Sequence, residues 1–457
     1  MPISRRQFLT AAGAAGALAA SGALNRLTGV LASPGPATAD AATLPSPADS
    51  GIEHIVVLCM ENRSFDHYLG WVPRANGMQG GLSYQDDQGH WHSTHHLADW
   101  SGCGFNDPDH SYEGGRRQLD PNGTMTGFRK GDNDDFALGY YTREDLPFHS
   151  AVVDNFTICD NYFCSILGPT YPNRFYTHAA QTDRITNSMT QSSVPTIWDY
   201  AMPGPSQKMT GTYYFSDLPF LALWGPTYAP VSRHVEHFFA DAAAGTLSQY
   251  SYLDPFFLGE GQGGSNDDHP HADIRRGQNF LGRVVNALMT SPLWSKTVLV
   301  VTYDEWGGFF EHVKPPTLPD AFPATGTEEH NTAGFRVPCY VISPFASANR
   351  INSVQFDHTS ILKMAEWRFG LPALTPRDAA ANNLALTLDF SQRNATSADQ
   401  IPIVTDPGPH YCQNDNAIGA EWLVDKTPVG NAVMGNADPF WYEFSRSPLL
   451  AGWRNVG

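Results

Sequence analysis

Two apolar runs end in polar residues that could bind a cation. His54-Ile55-Val56-Val57-Leu58-Cys59-Met60 leads directly into Glu61-Asn62-Arg63-Ser64-Phe65-Asp66-His67, and Thr297-Val298-Leu299-Val300-Val301-Thr302-Tyr303 into Asp304-Glu305-Trp306-Gly307-Gly308. Three carboxylates and an amide oxygen brought to one place repel one another unless a cation sits among them. Hard oxygen donors of this kind suit a divalent metal. Either segment alone reads as well as a strand end that caps a helix or turn. Together they favour a metal site with Glu61, Asn62, Asp304 and Glu305 as ligands. A third segment, Gly168-Pro169-Thr170-Tyr171-Pro172-Asn173-Arg174, adds a hydroxyl. Pro172 suits the first turn of a helix, which puts Thr170 just before a helix N-terminus, where free amides and the dipole favour an anion. A hydroxyl there, beside a metal, can lose its proton and attack phosphorus. Asn173 or Arg174 could hold phosphate oxygens. This segment alone allows simple capping by Thr170 and a surface Arg174 equally well.

The elements that must position these residues are legible in part. The two apolar runs, and a third at Val337–Ser343 stopped by Pro344, read as strands buried on both faces. Between them lie helical patterns. Ile274, Gln278, Leu281, Val285 and Leu288 share one face, with Asp273 placed as the cap, and Asp357-His358-Thr359-Ser360 precedes a second helix running to about Phe369. Alternating strand and helix predict an α/β fold, a mostly parallel central sheet with helices on both faces. In such sheets ligands gather at the carboxyl ends of the strands, where both acidic segments fall. Residues 70–135 and 200–270 show weaker periodicity and read as excursions that wall a cleft.

A formal net charge of −18 argues against nucleic-acid partners, which need Lys and Arg to displace counterions. It also disfavours anionic membranes but not a neutral or zwitterionic lipid surface. Ser4-Arg5-Arg6-Gln7-Phe8-Leu9 and the Ala/Gly-rich stretch after it read as a twin-arginine export signal over residues 1–39, ending at Ala37-Thr38-Ala39. A linker over 40–50 and one catalytic domain over 51–457 follow. The protein is expected outside the cytoplasm, secreted or in the cell envelope, after engaging the twin-arginine machinery. None of the six cysteines forms a CxxC pair, so a zinc-thiolate site is not expected. Cys59 and Cys339 lie in apolar runs and read as buried small hydrophobes.

Read in order, Met60–His67, Gly168–Arg174, Asp304–Val313 and Gly334-Phe335-Arg336-Val337-Pro338 closely resemble the signatures of a phosphoesterase family. That family holds bacterial phospholipases C, plant non-specific phospholipases C and a bacterial acid phosphatase. The resemblance spans roughly residues 51–370 and implies an alkaline-phosphatase-like α/β fold. It places metal ligands at Glu61, Asn62, Asp304 and Glu305, and the nucleophile, which also approaches the metal, at Thr170. It places phosphate-binding or proton-donating histidines at His110 and His269, with His271 a close competitor to His269. A further histidine pair of the family has no clear counterpart; His234 and His237 are the candidates. The family's Asp-His-Val stands here as Glu311-His312-Val313, which shifts any oxygen ligand at Glu311 by about one C–C bond length. His312 and His358 read either as wall residues or as structural histidines.

What the resemblance implies is an exported phosphoester hydrolase using one divalent ion, with calcium, zinc, iron and manganese all compatible. Its reaction would be phospholipase C cleavage of phosphatidylcholine-type lipids through a phospho-threonine. The alternatives are an acid phosphatase and a non-catalytic protein that binds a phosphorylated ligand. The aromatic segments Tyr213-Tyr214-Phe215 and Phe220–Trp224 could line an apolar mouth, or simply pack in the core. Transient contact with a membrane surface is compatible with this reading.

Overall fold

The computed structural model describes residues 44–260, 263–320, 330–412, 444–453 and 456. Eight strands form the main sheet: β1 (His54–Met60), β2 (Thr157–Cys159), β3 (Gly211–Phe215), β4 (Ser232–His234), β5 (Tyr250–Leu253), β6 (Thr297–Tyr303), β7 (Cys339–Ile342) and β8 (Arg350–Asn352). Their spatial order is β8-β2-β7-β6-β1-β5-β3-β4. Every pairing is parallel except the two made by β7, against β6 and β2. The two long apolar runs form the centre of the sheet, as expected of strands covered on both faces, and only His54 among their residues is not fully buried. Each buried aliphatic side chain here contributes roughly 1.5–3 kcal/mol, which helps this core tolerate ionisable groups at its edge.

Two helices, α1 (Phe65–Leu69) and α2 (Tyr112–Leu119), come early in the chain, and later helices cover both faces of the sheet. Tyr252 is in register with Val57, Val300 and Val341, whereas Tyr340 is in register with Val301 and Leu58, so the two tyrosines point to opposite faces. The Tyr252 hydroxyl bonds the Thr177 hydroxyl at 3.0 Å, which fixes helix α4 (Thr170–Ala179) on one face. His149 of helix α3 (Pro147–Asn155) bonds the Tyr340 hydroxyl at 2.7 Å and fixes α3 on the other. Helix α6 (Ile274–Met289) packs with α3 and with α5 (Glu236–Ala244). Helix α7 (His358–Phe369) packs with α4 and with α8 (Pro376–Ala380). Asp273 caps α6 through the Arg275 amide and Asp357 caps α7 through the Thr359 amide, as their positions predict.

Two features depart from the sequence expectation, and the aromatic segments take the core-packing alternative left open above. The region 200–270 is not only an excursion: it supplies β3, β4 and β5, and β5 lies directly against β1. Those strands are three to five residues long and partly aromatic, so they lack the long aliphatic run that marks β1 and β6. Within the stretch read as linker, Leu44 packs against the core and Pro47–Asp49 forms a 3-10 turn. Tyr213, Tyr214 and Phe220–Trp224 are buried, and so belong to the core. The signal and its cleavage triplet lie outside the described residues. Among the described residues no helix is long and apolar enough to cross a membrane. Cys103 and Cys412 form a disulfide, while Cys59, Cys159, Cys164 and Cys339 are free and buried.

Candidate active site

The parallel strands β6, β1 and β5 end side by side, so the residues that follow them meet on one edge. Glu61 and Asn62 leave β1, Asp304 and Glu305 leave β6, and Asp254 leaves β5. The chain turns sharply after Glu61 because Asn62 adopts φ 56°, a left-handed conformation that asparagine tolerates better than most residues. That turn aims the Asn62 amide at Asp304 Oδ1 (3.1 Å), which also accepts from the Glu305 amide (2.7 Å). On the other strand end, Gly307 sits at φ +63°, and a Cβ there would come within 2.1 Å of the Asn62 carbonyl. A glycine is therefore required where the two acidic turns cross.

Thr170 is the first residue of α4, one position further in than its spacing from Pro172 suggests, and its hydroxyl donates to Glu61 Oε2 at 3.2 Å. One helical turn on, Arg174 bonds the same carboxylate from beneath. Its guanidinium reaches Glu61 Oε1 (2.7 Å), Asp254 Oδ1 (2.6 Å) and the Cys59 carbonyl (3.1 Å), with Asp304 Oδ2 at 3.6 Å. The side chain is fully buried. Asn173 is also buried, and its amide bonds the Ile166 amide and the carbonyls of Ile166, Gly168 and Pro169. Asn173 and Arg174, the residues expected to hold phosphate oxygens, both direct polar atoms to these contacts within the protein. One braces the loop ahead of Thr170, and the other neutralises the carboxylates from below.

His110 and His269 stand together over this floor, ring centroids 5.5 Å apart. His110 Nε2 lies 3.2 Å from Asn62 Nδ2 and 3.9 Å from Glu305 Oε1, and its Nδ1 lies 2.7 Å from the Pro108 carbonyl. Burial pulls the His110 imidazole down, but Glu305 first, then Asp107 and the Pro108 carbonyl, outweigh it and hold it up to about 9. His269 is held well below the ordinary histidine range, first by burial and then by the His110 charge. Burial and the neighbouring Asp304 carboxylate push Glu61 well up, against the pull of Arg174. Burial likewise pushes Glu305 up, against the pull of His110. The ligand atoms of Glu61, Glu260 and His269 come within 4.8 Å of one another, as do those of Asp107, His110 and His269. Glu260, Asp107 and Asp254 were not anticipated from the sequence.

The other histidines lie elsewhere. His271 is turned to the Gly102 carbonyl at 3.0 Å. His358 runs beneath the site, with Nε2 2.6 Å from the Asp304 carbonyl. His234 and His237 belong to the outer-edge strand β4 and to α5, and bond the Ser216 carbonyl and Arg233. Glu311 forms a two-pronged pair with Arg336 (2.8 and 3.0 Å), and His312 bonds Asp66.

The donor set fits a hard cation. Asn62 Oδ1, Asp304 Oδ2 and Glu305 Oε1 are buried without a hydrogen-bond partner, although buried oxygens are almost always paired. With Glu61 and the Thr170 hydroxyl they offer the oxygen ligands a divalent ion takes.

Comparison with known proteins gives the family of the chain as a whole. The Phosphoesterase family matches residues 52–219 and 205–372, and the chain belongs to that family of hydrolases. A twin-arginine translocation pathway signal matches residues 2–22, which makes this an exported protein. The chain is 31% identical over 473 residues to phospholipase C A of Mycobacterium tuberculosis, covering 85% of this chain and 86% of that protein. It is 31% identical over 377 residues to non-specific phospholipase C6 of Arabidopsis thaliana, covering 73% of this chain and 71% of that one. Among solved structures, a protein of the alkaline phosphatase superfamily from Vibrio parahaemolyticus overlaps 72% of this chain and 69% of its own, with TM-score 0.32 and 11% identity. That overlap is too loose to add to the topology described above.

Proposed function

We propose that this hydrolase is a metal-dependent phospholipase C that cleaves the glycerol–phosphate bond of phosphatidylcholine-type lipids through a phospho-threonine. The observation that carries the reading is the Thr170 hydroxyl, placed at a helix N-terminus and hydrogen-bonded to Glu61 beside three unpartnered buried oxygens. Similarity to proteins named phospholipase C favours the diester over the monoester.

Glu61, Asn62, Thr170, Asp304 and Glu305 would hold one divalent ion, calcium, zinc, iron or manganese, which would neutralise phosphoryl oxygens and acidify the Thr170 hydroxyl. Thr170 Oγ1 attacks phosphorus, the P–O bond to glycerol breaks, and the hydroxyl proton is directed at the Glu61 carboxylate. At the start of α4 the Tyr171 amide donates to Asn187, Pro172 has none and the Asn173 amide donates to Pro169, which leaves the Thr170 amide for the phosphate charge. His110, which holds its proton where the expected alternative His269 does not, protonates the departing alkoxide of diacylglycerol. Water then cleaves the Thr170–phosphorus bond and releases the phosphorylated headgroup. Arg174 and Asn173 act from behind, Arg174 by balancing the carboxylates and Asn173 by bracing residues 166–169.

The test is hydrolysis of p-nitrophenyl phosphorylcholine against p-nitrophenyl phosphate, each with and without chelator. Cleavage of the diester, lost with chelator and restored by added metal, is expected. Preference for the monoester would make the protein an acid phosphatase. Failure on both, with phosphoester binding retained, would make it a binding protein.

A further inference from the structure

Large apolar side chains are rarely exposed among the described residues. Only Trp91 (68% exposed), Ile403 (47%) and Met78 (39%) stand out there. Trp91 belongs to a two-stranded hairpin, Ser83–Gln85 paired with Trp91–Ser93. Alternation along the strands sorts its residues. Tyr84 and His92 pair and face inward, Tyr84 packing on Phe128. Gln85 pairs with Trp91 and Ser83 with Ser93, so the outward face is one tryptophan among uncharged polar side chains.

The carboxylates beside this face are each engaged by a neighbouring side chain. Asp86 accepts from His90 and His92, His92 also contacts Asp135 at 2.7 Å, and Lys130 sits 3.8 Å from Asp87. In a chain of net charge −18, a face whose own side chains are uncharged is the one that enters a zwitterionic interface without taking charged groups out of water. The hairpin is also joined to the catalytic wall. His92 holds Asp135, the neighbouring Asn133 holds the Asp109 amide at 2.7 Å, and His110 follows. Thr94 ties the hairpin to Gln79, next to the exposed Met78.

We propose that the outward face of this hairpin, centred on Trp91, docks the enzyme on a zwitterionic phospholipid bilayer. Tryptophan suits that role because its apolar rings enter the interface while its N–H stays hydrated. The proposal rests on the lipid-cleaving reading above, because a docked wall next to His110 is useful only if the substrate sits in that bilayer.

The test compares the full-length mature enzyme with Trp91→Ala and, as a matched control, Ile403→Ala. Each is assayed for co-sedimentation with phosphatidylcholine vesicles, for cleavage of those vesicles, and for hydrolysis of soluble p-nitrophenyl phosphorylcholine. Trp91→Ala should lower vesicle binding and vesicle cleavage by about tenfold or more. It should leave soluble hydrolysis unchanged, and Ile403→Ala should behave as wild type in all three. High salt should not weaken binding, since no ion pair contributes. Equal vesicle binding by wild type and Trp91→Ala overturns the docking surface, as does a wild type that cleaves the soluble ester but does not bind vesicles. Vesicle binding that depends on Trp91, in an enzyme that cleaves neither ester, supports the docking surface and sinks the lipase reading instead.

Discussion

Two buried acidic clusters flank the same two loops, and each has an arginine at its base. In the first, Arg174 lies under Glu61, Asp254 and Asp304. In the second, Arg336 lies between Asp66 and Glu311, with His312 beside them. Both draw on the segments after β1 and β6, and both gather the ligand types a metal takes. They differ in how fully their oxygens are used. Asp66 accepts from the Met78 and His312 amides, and Glu311 from the Asp66 and Val313 amides, in addition to Arg336. Around Glu61 and Asp304, three buried oxygens of Asn62, Asp304 and Glu305 have no hydrogen-bond partner. A saturated cluster is structural. A cluster with spare oxygens is where the proposed cation would bind.

The sharpest way to break this comparison is to remove the group unique to the first cluster. Thr170→Ala should lower kcat on p-nitrophenyl phosphorylcholine by at least about a thousandfold with an unchanged circular dichroism spectrum. A variant within tenfold of wild type would remove Thr170 from the chemistry.

Next come the arginines. Arg336→Met and Arg174→Met each strand buried carboxylates and should each cost about 3–5 kcal/mol in urea unfolding. The two should separate when a divalent cation is added. Cation should recover part of the loss in Arg174→Met and none in Arg336→Met. Equal rescue of both would erase the distinction between the clusters.

A smaller contrast lies in the carboxylates. Glu305→Gln should lose bound metal, read by elemental analysis, and about a hundredfold in kcat. Glu311→Gln should keep its metal and show only a lower Tm. The smallest effect is expected from Glu311→Asp, which restores the carboxylate usual in the family. It should leave kcat within about threefold while shortening the reach to Arg336 and costing about 1–2 kcal/mol. A large gain in kcat would mean that Glu311 belongs to the site after all.

How much of this was legible follows from what sequence encodes locally. β1 and β6 are continuous aliphatic runs, so the acidic residues at their ends stood out, and Asp273 and Asp357 announced their helices as caps. β5 hid because Tyr250-Ser251-Tyr252-Leu253 is too short to show a period, and Asp254 hid with it. Glu260 reaches His269 through a loop, with no local pattern to mark it. Arg174 was visible as a residue but not as a direction. Its spacing of four from Thr170 puts both on one helix face, and that spacing signals that both meet Glu61. What the spacing does not encode is that one arrives from the cleft side and the other from below. The four motifs lie far apart in the chain, and only the parallel arrangement of β6, β1 and β5 brings them to one edge.

The central claim is that Thr170 becomes covalently linked to the phosphoryl group. The most direct measurement is intact mass after rapid acid quench of the enzyme turning over p-nitrophenyl phosphorylcholine. Wild type should gain the mass of one phosphocholinyl group, mapped to the peptide carrying Thr170, with a burst of nitrophenol of matching amplitude. An active enzyme that shows neither adduct nor burst, or carries the adduct on another residue, would contradict the account.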